Sequence, residues 1–457
     1  MILKNAKIYF EGTLKEGILL IENGIISHLK LNSDPKILEE LKKKNKDGQI
    51  IDCQNKIILP GIIDIHAHLR DMGQSHKETF RTGTKAAAYS GITTVFNMPN
   101  TIPPATTPSQ VKKWMDKAES NIYIDVGFIA GVPPEIDHNQ INQLIELGVI
   151  GFKIYPLSPL SNIIWTEPNN FQEILEVSSK FQKPIFIHPD WPLSHERKQE
   201  QIDVDRLKLH DKLHPVDLEA KYVNFALENY YTYITEKSVD PEDYPIIHFC
   251  HISCRDSFML IRRALSNYSN LNISFEVTPH HLLLSNDMNL ENTNYGKVLP
   301  PLRSPEHPKF LFEQLNQNNI PLIGTDHAPH TKEEKSKDYY EAPSGFPGFE
   351  TYPLVILDKV CKYQLSLNKF VSVASENPAT RFNLENKGFI REGYDADLLI
   401  IDKVPENLID STKFHTKSKL SPFNGFFTEV QIWKVFLRGI EINRREQSPT
   451  GKIIRKS

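Results

Sequence analysis

The sequence has few cysteines, no long apolar run and no excess of one charge sign. Only four of its 457 residues are cysteines, too few for the disulfide framework of a small secreted protein. No apolar run reaches the length of a bilayer-spanning helix, and the N-terminus lacks a signal-type apolar block. Lysine and arginine number 53 against 57 aspartates and glutamates. We therefore expect a cytoplasmic protein that binds neither nucleic acid nor a membrane.

The rhythm of the apolar residues divides the chain into three parts. Residues 1–57 alternate in short runs around an Asn23-Gly24 turn, which predicts the first part of a small β-sandwich domain. Residues 58–385 alternate buried-strand and helical patterns, which predicts an α/β fold with a closed (β/α)8 barrel of the TIM type. Residues 386–457 return to strand patterns, and we expect them to complete the small β domain.

Strands are predicted at definite positions in the last two parts. The barrel strands are predicted at 62–65, 93–98, 122–129, 151–155, 184–188, 245–251, 272–277 and 321–325. Those of the C-terminal part are predicted at 388–390, 396–401 and 431–437.

Polar side chains collect where the predicted barrel strands end. Barrels of this type carry their active sites at the carboxyl ends of the strands. The polar residues found there are His66, His68, Arg70, Asn100, Lys153, His188, His251, Asp326 and His330. Any one of them can be structural, but their convergence on one barrel mouth predicts a functional site.

The motif PGIIDIHAHLR at residues 60–70 is the most informative stretch. Strand alternation puts His66 and His68 on one face, where two imidazoles can hold a divalent metal. Arg70 follows with the same parity, and its planar guanidinium suits a substrate carboxylate. The alternative is that His66 and His68 are ordinary strand-end histidines.

Lys153 is an unexpected residue for a cationic metal site. Its ammonium would be repelled by two dications and is costly to bury without a partner. A neutral amine can instead react with CO2, and the resulting carbamate has two oxygens that can bridge two metals. The alternatives are a lysine paired with a carboxylate or one that binds a substrate anion.

Several motifs together resemble those of the dihydroorotases of the amidohydrolase superfamily, in particular the type I enzymes and the dihydroorotase domain of multifunctional pyrimidine-synthesis proteins. The resemblance spans about residues 58–380. It rests on residues 60–70 and on NMPNT (97–101), GFKIY (151–155), HFCHIS (248–253), EVTPHH (276–281), TDHAPH (325–330) and FPGFE (346–350).

The resemblance implies a reaction and a set of site residues. The reaction is the reversible, zinc-dependent conversion of dihydroorotate to N-carbamoyl-aspartate in pyrimidine synthesis, with Asp326 as the proton shuttle. One zinc would be bound by His66, His68 and Asp326, a second by His188 and His251, and carboxylated Lys153 would bridge them. Arg70, Asn100 and His330 would bind the substrate carboxylate. In some multifunctional relatives a further zinc uses residues that match Cys250 and Glu276.

Two positions depart from the pattern of the resemblance. Leu299 stands where relatives commonly carry a polar substrate contact, and residues 156–161 differ from the lid-loop tip of the multifunctional type. Two alternatives remain open: another cyclic-amide hydrolase, such as a hydantoinase, dihydropyrimidinase or allantoinase, and a non-catalytic scaffold for a transcarbamoylase. We also expect a homodimer and an association with aspartate transcarbamoylase. We expect His195, His210 and His214, in a polar connection, to face solvent.

Overall fold

The computed structural model describes residues 1–31, 35–45, 48–193, 206–268, 270–443 and 448–456. Within these ranges the strands form two sheets. The strands are β1 (Ile2–Phe10), β2 (Thr13–Glu22), β3 (Ile25–Lys30), β4 (Ile50–Asp52), β5 (Ile57–Pro60), β6 (Ile62–Ala67), β7 (Ile92–Asn97), β8 (Asp125–Gly131), β9 (Gly151–Ile154), β10 (Ile185–Ile187), β11 (Ile247–Phe249), β12 (Ile273–Val277), β13 (Leu322–Ile323), β14 (Leu398–Leu408), β15 (Phe427–Leu437), β16 (Ile440–Glu441) and β17 (Ile453–Ile454).

Helices separate the strands of the larger sheet and cover it, except for the first helix, which packs on β1 and β2 of the other sheet. They are α1 (Pro35–Lys44), α2 (Phe80–Tyr89), α3 (Pro108–Ala118), α4 (His138–Glu146), α5 (Pro168–Phe181), α6 (Arg206–Leu213), α7 (Val216–Glu236), α8 (Arg255–Asn267), α9 (Pro279–Leu283), α10 (Glu306–Asn316), α11 (Lys332–Lys335), α12 (Tyr352–Cys361), α13 (Leu367–Val371) and α14 (Asn377–Arg381). None of the helices in the described ranges combines the length and the apolar composition needed to cross a bilayer.

The strands β6 to β13 form a nearly closed barrel of parallel strands in chain order. A single bridge between Ala67 and His327 joins the first strand to the segment after the last. The backbone N–H of His68 also donates to the carbonyl of His327 at 2.7 Å. All eight predicted barrel strands are confirmed, because each overlaps a strand of this barrel.

Aromatic side chains fill part of the barrel interior. Phe382, which follows α14, lies 5.2 Å from the ring centre of Phe96 and 5.5 Å from that of Phe186. All three side chains belong to one apolar cluster together with Ile63 and Ile65. Because this packed cluster occupies the barrel core, the polar strand-end residues are left as the lining of the carboxyl end.

The second sheet is built from both termini, as the sequence predicts. Its strand order is β16-β15-β14-β5-β1-β2-β3, with β4 paired to β1. The predicted strand at 388–390 is wrong, because Gly388 has a φ of 79° and approaches the carbonyl of Ser375 so closely that a Cβ would lie 2.4 Å from it. This segment is a turn that packs on α14. Strand β5 was missed because its apolar run continues, through Gly61, into that of β6.

Buried charges connect the second sheet to the barrel. The Lys387 ammonium lies 2.8 Å from Asp125 in β8 and 2.7 Å from Asp397 next to β14. Arg438 lies 2.6 Å from the same Asp125 carboxylate. The last strand, β17, does not join the second sheet but pairs with β8 of the barrel. The chain end is therefore part of the contact between the two units.

The polar connection before α7 differs from the sequence-based prediction. His195 lies outside the described residues, but His210 in α6 is buried. The two ring nitrogens of His210 lie 2.6 Å from the Tyr339 hydroxyl and 2.8 Å from the Val298 carbonyl. The prediction that His210 faces solvent is therefore wrong, because the helix packs on two loops at the barrel mouth.

Candidate active site

A cavity of about 300 Å³ opens at the carboxyl end of the barrel. It is lined by most of the residues that the strand-end pattern predicts: His66, His68, Arg70, Asn100, His188, His251 and Asp326. Tyr155, Leu157, Ser158, Val298, Leu299, Ala328, Ser344 and Gly345 complete the lining. The two remaining predicted residues, Lys153 and His330, are buried and are not part of this lining.

His66, His68 and Asp326 form one group of potential metal ligands. Their ligand atoms all lie within 4.8 Å of one another. Asp326 Oδ1 lies 2.9 Å from His68 Nε2 and 3.5 Å from His66 Nε2. Two imidazole nitrogens and one carboxylate oxygen facing a common point are a typical donor set for a divalent metal.

His188 and His251 form a second pair beside this group. The Nδ1 atom of His188 lies 2.9 Å from Nε2 of His251, and the ring centres of His251 and His66 are 5.1 Å apart. Burial, together with the nearby Lys153 ammonium, lowers the pKa of both imidazoles well below the usual value. Both rings are therefore in the neutral form that binds metal ions.

Lys153 is almost fully buried below the pocket, at 1% exposure. Its Nζ atom lies 2.8 Å from Cys250 Sγ and 5.0 Å from the centre of the Tyr155 ring. Within the described residues no carboxylate forms an ion pair with it. The structure thus gives no support to a lysine paired with Asp or Glu. Carboxylation would remove this unpaired buried charge.

Glu276 links two of the buried histidines. One carboxylate oxygen contacts His66 Nδ1, and the other lies 3.2 Å from His248 Nε2. The carboxylate at Nδ1 fixes the His66 ring so that its Nε2 faces the cavity. A carboxylate is the usual outer hydrogen-bond partner of a metal-binding histidine. Glu276, His66 and Cys250 also form a second candidate metal group.

Of the predicted carboxylate-binding residues, two line the cavity and one lies behind its wall. Arg70 and Asn100 line the cavity, whereas His330 lies behind Arg70, with its Nε2 3.1 Å from Nη2 of the guanidinium. Asn100 Oδ1 lies 2.6 Å from His68 Nδ1 and accepts a hydrogen bond from it. The amide of Asn100 therefore orients a candidate metal ligand and keeps its NH2 group available as a donor.

The backbone is strained at three of these residues. The φ angles of Arg70, His251 and Asp326 are 55°, 36° and 48°, in the region that non-glycine residues rarely adopt. Such conformations cost on the order of 1–3 kcal/mol each and persist where the surrounding structure holds them, commonly at functional sites. This strain turns three strand-end side chains toward one cavity.

Opposing charges set the protonation of the first ligand group. Burial disfavours a charged His66, but the Glu276 carboxylate and Cys250 together outweigh burial and raise the pKa of His66 to about 10. Burial likewise opposes ionisation of Asp326, yet the adjacent rings of His68 and His66 hold the pKa of Asp326 below its usual value. The two carboxylates, Glu276 and Asp326, are therefore ionised on either side of His66 and attract a cation there, whether a proton or a metal ion.

Comparison with known proteins identifies the family. Residues 57–442 match the sequence profile of the Amidohydrolase family. The chain belongs to the amidohydrolase family. A dihydroorotase of Methanosphaera stadtmanae is 33% identical over 93% of this chain and 91% of the relative. A dihydroorotase of Pyrococcus abyssi is 32% identical over 98% of this chain and 95% of the relative.

Solved structures are similar over the whole length of this amidohydrolase. An L-hydantoinase (dihydropyrimidinase) from Arthrobacter aurescens has a TM-score of 0.86 and 25% identity, and the match covers 100% of this chain and 99% of that one. A D-hydantoinase (dihydropyrimidinase) from Thermus sp. has the same TM-score of 0.86 with 23% identity, covering 100% and 98%. These comparisons confirm the resemblance seen in the sequence, and with it the prediction of a cyclic amide hydrolase.

The residues of this amidohydrolase fit the metal dependence that is general in its family. The ligand atoms of His66, His68 and Asp326 lie within 4.8 Å of one another, and His251 Nδ1 has no hydrogen-bond partner among the described residues. Sequence reasoning missed two members of the site. Tyr155 stands in the quoted motif GFKIY and lines the cavity. Glu276 was assigned only to an additional metal, although its contact with His66 gives it a place beside the first ligand group.

Proposed function

We propose that this amidohydrolase is a dihydroorotase, which interconverts dihydroorotate and N-carbamoyl-aspartate in pyrimidine synthesis. The observation that carries the proposal is that the Arg70 guanidinium lines the same cavity as His66, His188 and Asp326. A permanently charged planar donor suits a carboxylate, and an acidic group is what separates dihydroorotate from the uncharged rings of hydantoin and dihydrouracil. The names of the relatives at 32–33% identity support the same substrate.

We expect two zinc ions at this site. His66, His68 and Asp326 would hold one, His188 and His251 the other, and the carbamate of Lys153 would bridge them. When bound, such ions lower the pKa of water toward neutrality and polarise a carbonyl oxygen, which is the chemistry that amide hydrolysis requires. The neutral imidazoles of His188 and His251, and a buried Lys153 without a carboxylate partner among the described residues, support this set of ligands.

Arg70 and Asn100 would orient the substrate. The guanidinium binds the ring carboxylate, and the NH2 group of Asn100 donates to the same group while its Oδ1 accepts from His68. His330 would join this clamp through its contact with Arg70 Nη2. Fixing the ring in this way makes the reaction effectively unimolecular, because the scissile amide is held over the ligand cluster.

Asp326 would carry the proton. Its pKa lies below the usual value, so the carboxylate is ionised at neutral pH and can accept a proton from the attacking water. The same proton then passes to the ring nitrogen as the amide C–N bond breaks, which yields N-carbamoyl-aspartate. In the reverse direction Asp326 takes a proton from the carbamoyl nitrogen, and the ring closes with loss of water.

A substrate panel tests this proposal. We expect the zinc-loaded enzyme to hydrolyse dihydroorotate with a kcat/KM at least roughly tenfold above that for dihydrouracil, hydantoin and allantoin, because only dihydroorotate gains a charged hydrogen bond to Arg70. A preference for hydantoin or dihydrouracil would favour a hydantoinase, which the similarity to the hydantoinase structures makes the leading alternative. No turnover of any of the four would favour a non-catalytic scaffold.

A third zinc at Cys250 and Glu276 remains a proposal of its own. Their ligand atoms and those of His66 lie within 4.8 Å of one another, which is compatible with one shared ion. Loss of a single equivalent of zinc in Cys250→Ser, with the other two retained, would support it. An unchanged metal content would instead leave Glu276 as the partner of His66 and His248. The homodimer and the transcarbamoylase association stay predictions.

A further inference from the structure

Two loops supply one part of the pocket lining. Val298 and Leu299 come from the segment before α10, and Ser344 and Gly345 come from the segment after α11. The N–H of Gly345 donates to the carbonyl of Lys297 at 2.9 Å, which joins the two loops directly. We call these four lining residues the loop wall. Their position depends on what holds the loops together.

Lys335, the last residue of α11, is fully buried between these loops. Its Nζ atom lies 3.0 Å from the carbonyl of Lys297, 3.0 Å from that of Pro343 and 2.9 Å from that of Gly345. An ammonium has three N–H donors and a carbonyl only accepts. Three acceptors at these distances therefore use every donor of a charged Lys335, which ties both loops to one nitrogen.

Lys297 and His210 add bonds of the same kind. Lys297 Nζ lies 2.6 Å from the carbonyls of both Tyr339 and Ala342. His210 lies 2.8 Å from the carbonyl of Val298 and 2.6 Å from the Tyr339 hydroxyl. Buried side chains from outside the cavity thus bind backbone carbonyls on both loops of the wall.

The loop wall in turn touches the segment that carries Asp326 and His330. Gly345 has a φ of 117°, and a Cβ there would lie 2.7 Å from the carbonyl of Ala328 and 3.4 Å from the His330 ring. The N–H of Ala328 also donates to the Phe346 carbonyl at 3.0 Å. A shift of the Gly345 loop would therefore move both the cavity lining and the surroundings of the Arg70–His330 contact.

We propose that Lys335, assisted by Lys297, is a positioning residue that sets the loop wall for substrate binding. Neither lysine lines the cavity, so each acts through the carbonyls that it binds. The part of this inference that concerns substrate affinity rests on the proposed dihydroorotase function. The part that concerns the position of the loops does not.

Steady-state kinetics with dihydroorotate and hydrogen exchange test the two parts separately. Lys335→Met keeps the apolar stem but removes all three donors. We expect kcat/KM to fall roughly ten- to hundredfold, mainly through KM, because the wall is displaced while the metal ligands are not. We expect zinc content to stay that of the wild type. We also expect amide exchange in residues 336–346 to become at least roughly tenfold faster, because bonds that order the loop are lost.

Lys369→Met is the matched control. Lys369 is also a buried lysine bound to a backbone carbonyl, that of Ile320 at 2.9 Å, but it lies at the amino end of β13, away from the pocket. We expect it to leave KM and the exchange of 336–346 unchanged. Lys297→Met is a second variant with a smaller predicted loss, because it removes two bonds and retains Lys335.

Three results would overturn the proposal, and a fourth would separate it from the proposed function. An unchanged KM in both Lys335→Met and Lys297→Met, or an equal rise in Lys369→Met, would overturn the proposal. Failure of both loop variants to fold while Lys369→Met folds would also overturn it, since the lysines would then act on folding. If the wild type does not hydrolyse dihydroorotate but Lys335→Met still accelerates exchange in 336–346, the proposed function fails and the positional part stands.

Discussion

Arg70 Nη2 lies 3.1 Å from Nε2 of His330, and the ammonium of Lys77 lies 3.1 Å from Nδ1 of the same ring. One imidazole is thus held between two cations. Burial, with Arg70 and Lys77 on either side, lowers the pKa of His330 well below its usual value. A neutral ring can accept from one of the two donors, so His330 restrains the side chains around it without adding charge.

Replacing Arg70 tests the carboxylate clamp. We expect Arg70→Met to raise KM for dihydroorotate roughly ten- to hundredfold, because a hydrogen bond to a charged group contributes about 1.5–3 kcal/mol. Turnover of the uncharged dihydrouracil, however slow, should be unaffected by the change. Initial rates with both compounds measure the contrast. An equal loss on both would mean that Arg70 supports the site as a whole rather than the acidic group.

Replacing Asp326 tests the proton shuttle. We expect Asp326→Asn to lower kcat by roughly 10²- to 10⁴-fold, the range for loss of a positioned acid or base, while circular dichroism remains that of the wild type. Asp116→Asn, on an exposed face of α3 where Asp116 pairs with Lys112, is a control that should retain full activity. Near-normal turnover by Asp326→Asn would rule out the assigned role.

Removal of metal tests the ligand cluster. We expect dialysis against a strong chelator to abolish hydrolysis and to lower the midpoint of thermal unfolding, because an ion that binds only the folded state stabilises it. Added zinc should restore both. Intact-protein mass should show one added CO2, which is lost in Lys153→Met. Full activity in protein shown by elemental analysis to be free of metal would contradict the binuclear site.

Replacing Lys387 tests the junction between the barrel and the second sheet. Lys387 is held by Asp125 and Asp397, both nearly fully buried. We expect Lys387→Met to lower the free energy of unfolding by about 3–5 kcal/mol, because two buried carboxylates lose their shared partner. Lys112→Met, which breaks only the exposed pair with Asp116, should cost about 0–1 kcal/mol. Urea unfolding measures both, and equal losses would count against a special role for Lys387.

Local patterns were enough to predict the barrel and the strand ends of its mouth. Buried apolar runs bounded by turn residues mark β6 to β12 with small errors at the ends, and His66, His188 and Asp326 follow such runs directly. Strand alternation is a property of neighbouring residues, so it can be read from one stretch at a time. The same rule failed at Gly388, where a close approach to Ser375 in another segment decides the backbone.

Contacts between distant segments were beyond the reach of these patterns. Glu78 hydrogen-bonds to Thr416 across 338 positions, and Lys335 binds Lys297 across 38. The sequence pattern predicts that His210 is a polar residue of an exposed connection, yet its side chain is buried and contacts the Val298 carbonyl. A side chain's partners depend on how the loops pack, and loop packing leaves no periodic trace in the sequence.

By itself, the sequence determined the barrel, its donor-rich mouth and the resemblance to dihydroorotases, because strand periodicity and short motifs are local. Only the tertiary structure decided that Glu276 contacts His66, that Asn100 accepts a hydrogen bond from His68, and that His330 contacts Arg70 from behind. It also decided that buried lysines hold the loop wall. These relationships join residues on different strands and loops, and closure of the barrel is what brings their atoms within hydrogen-bonding distance.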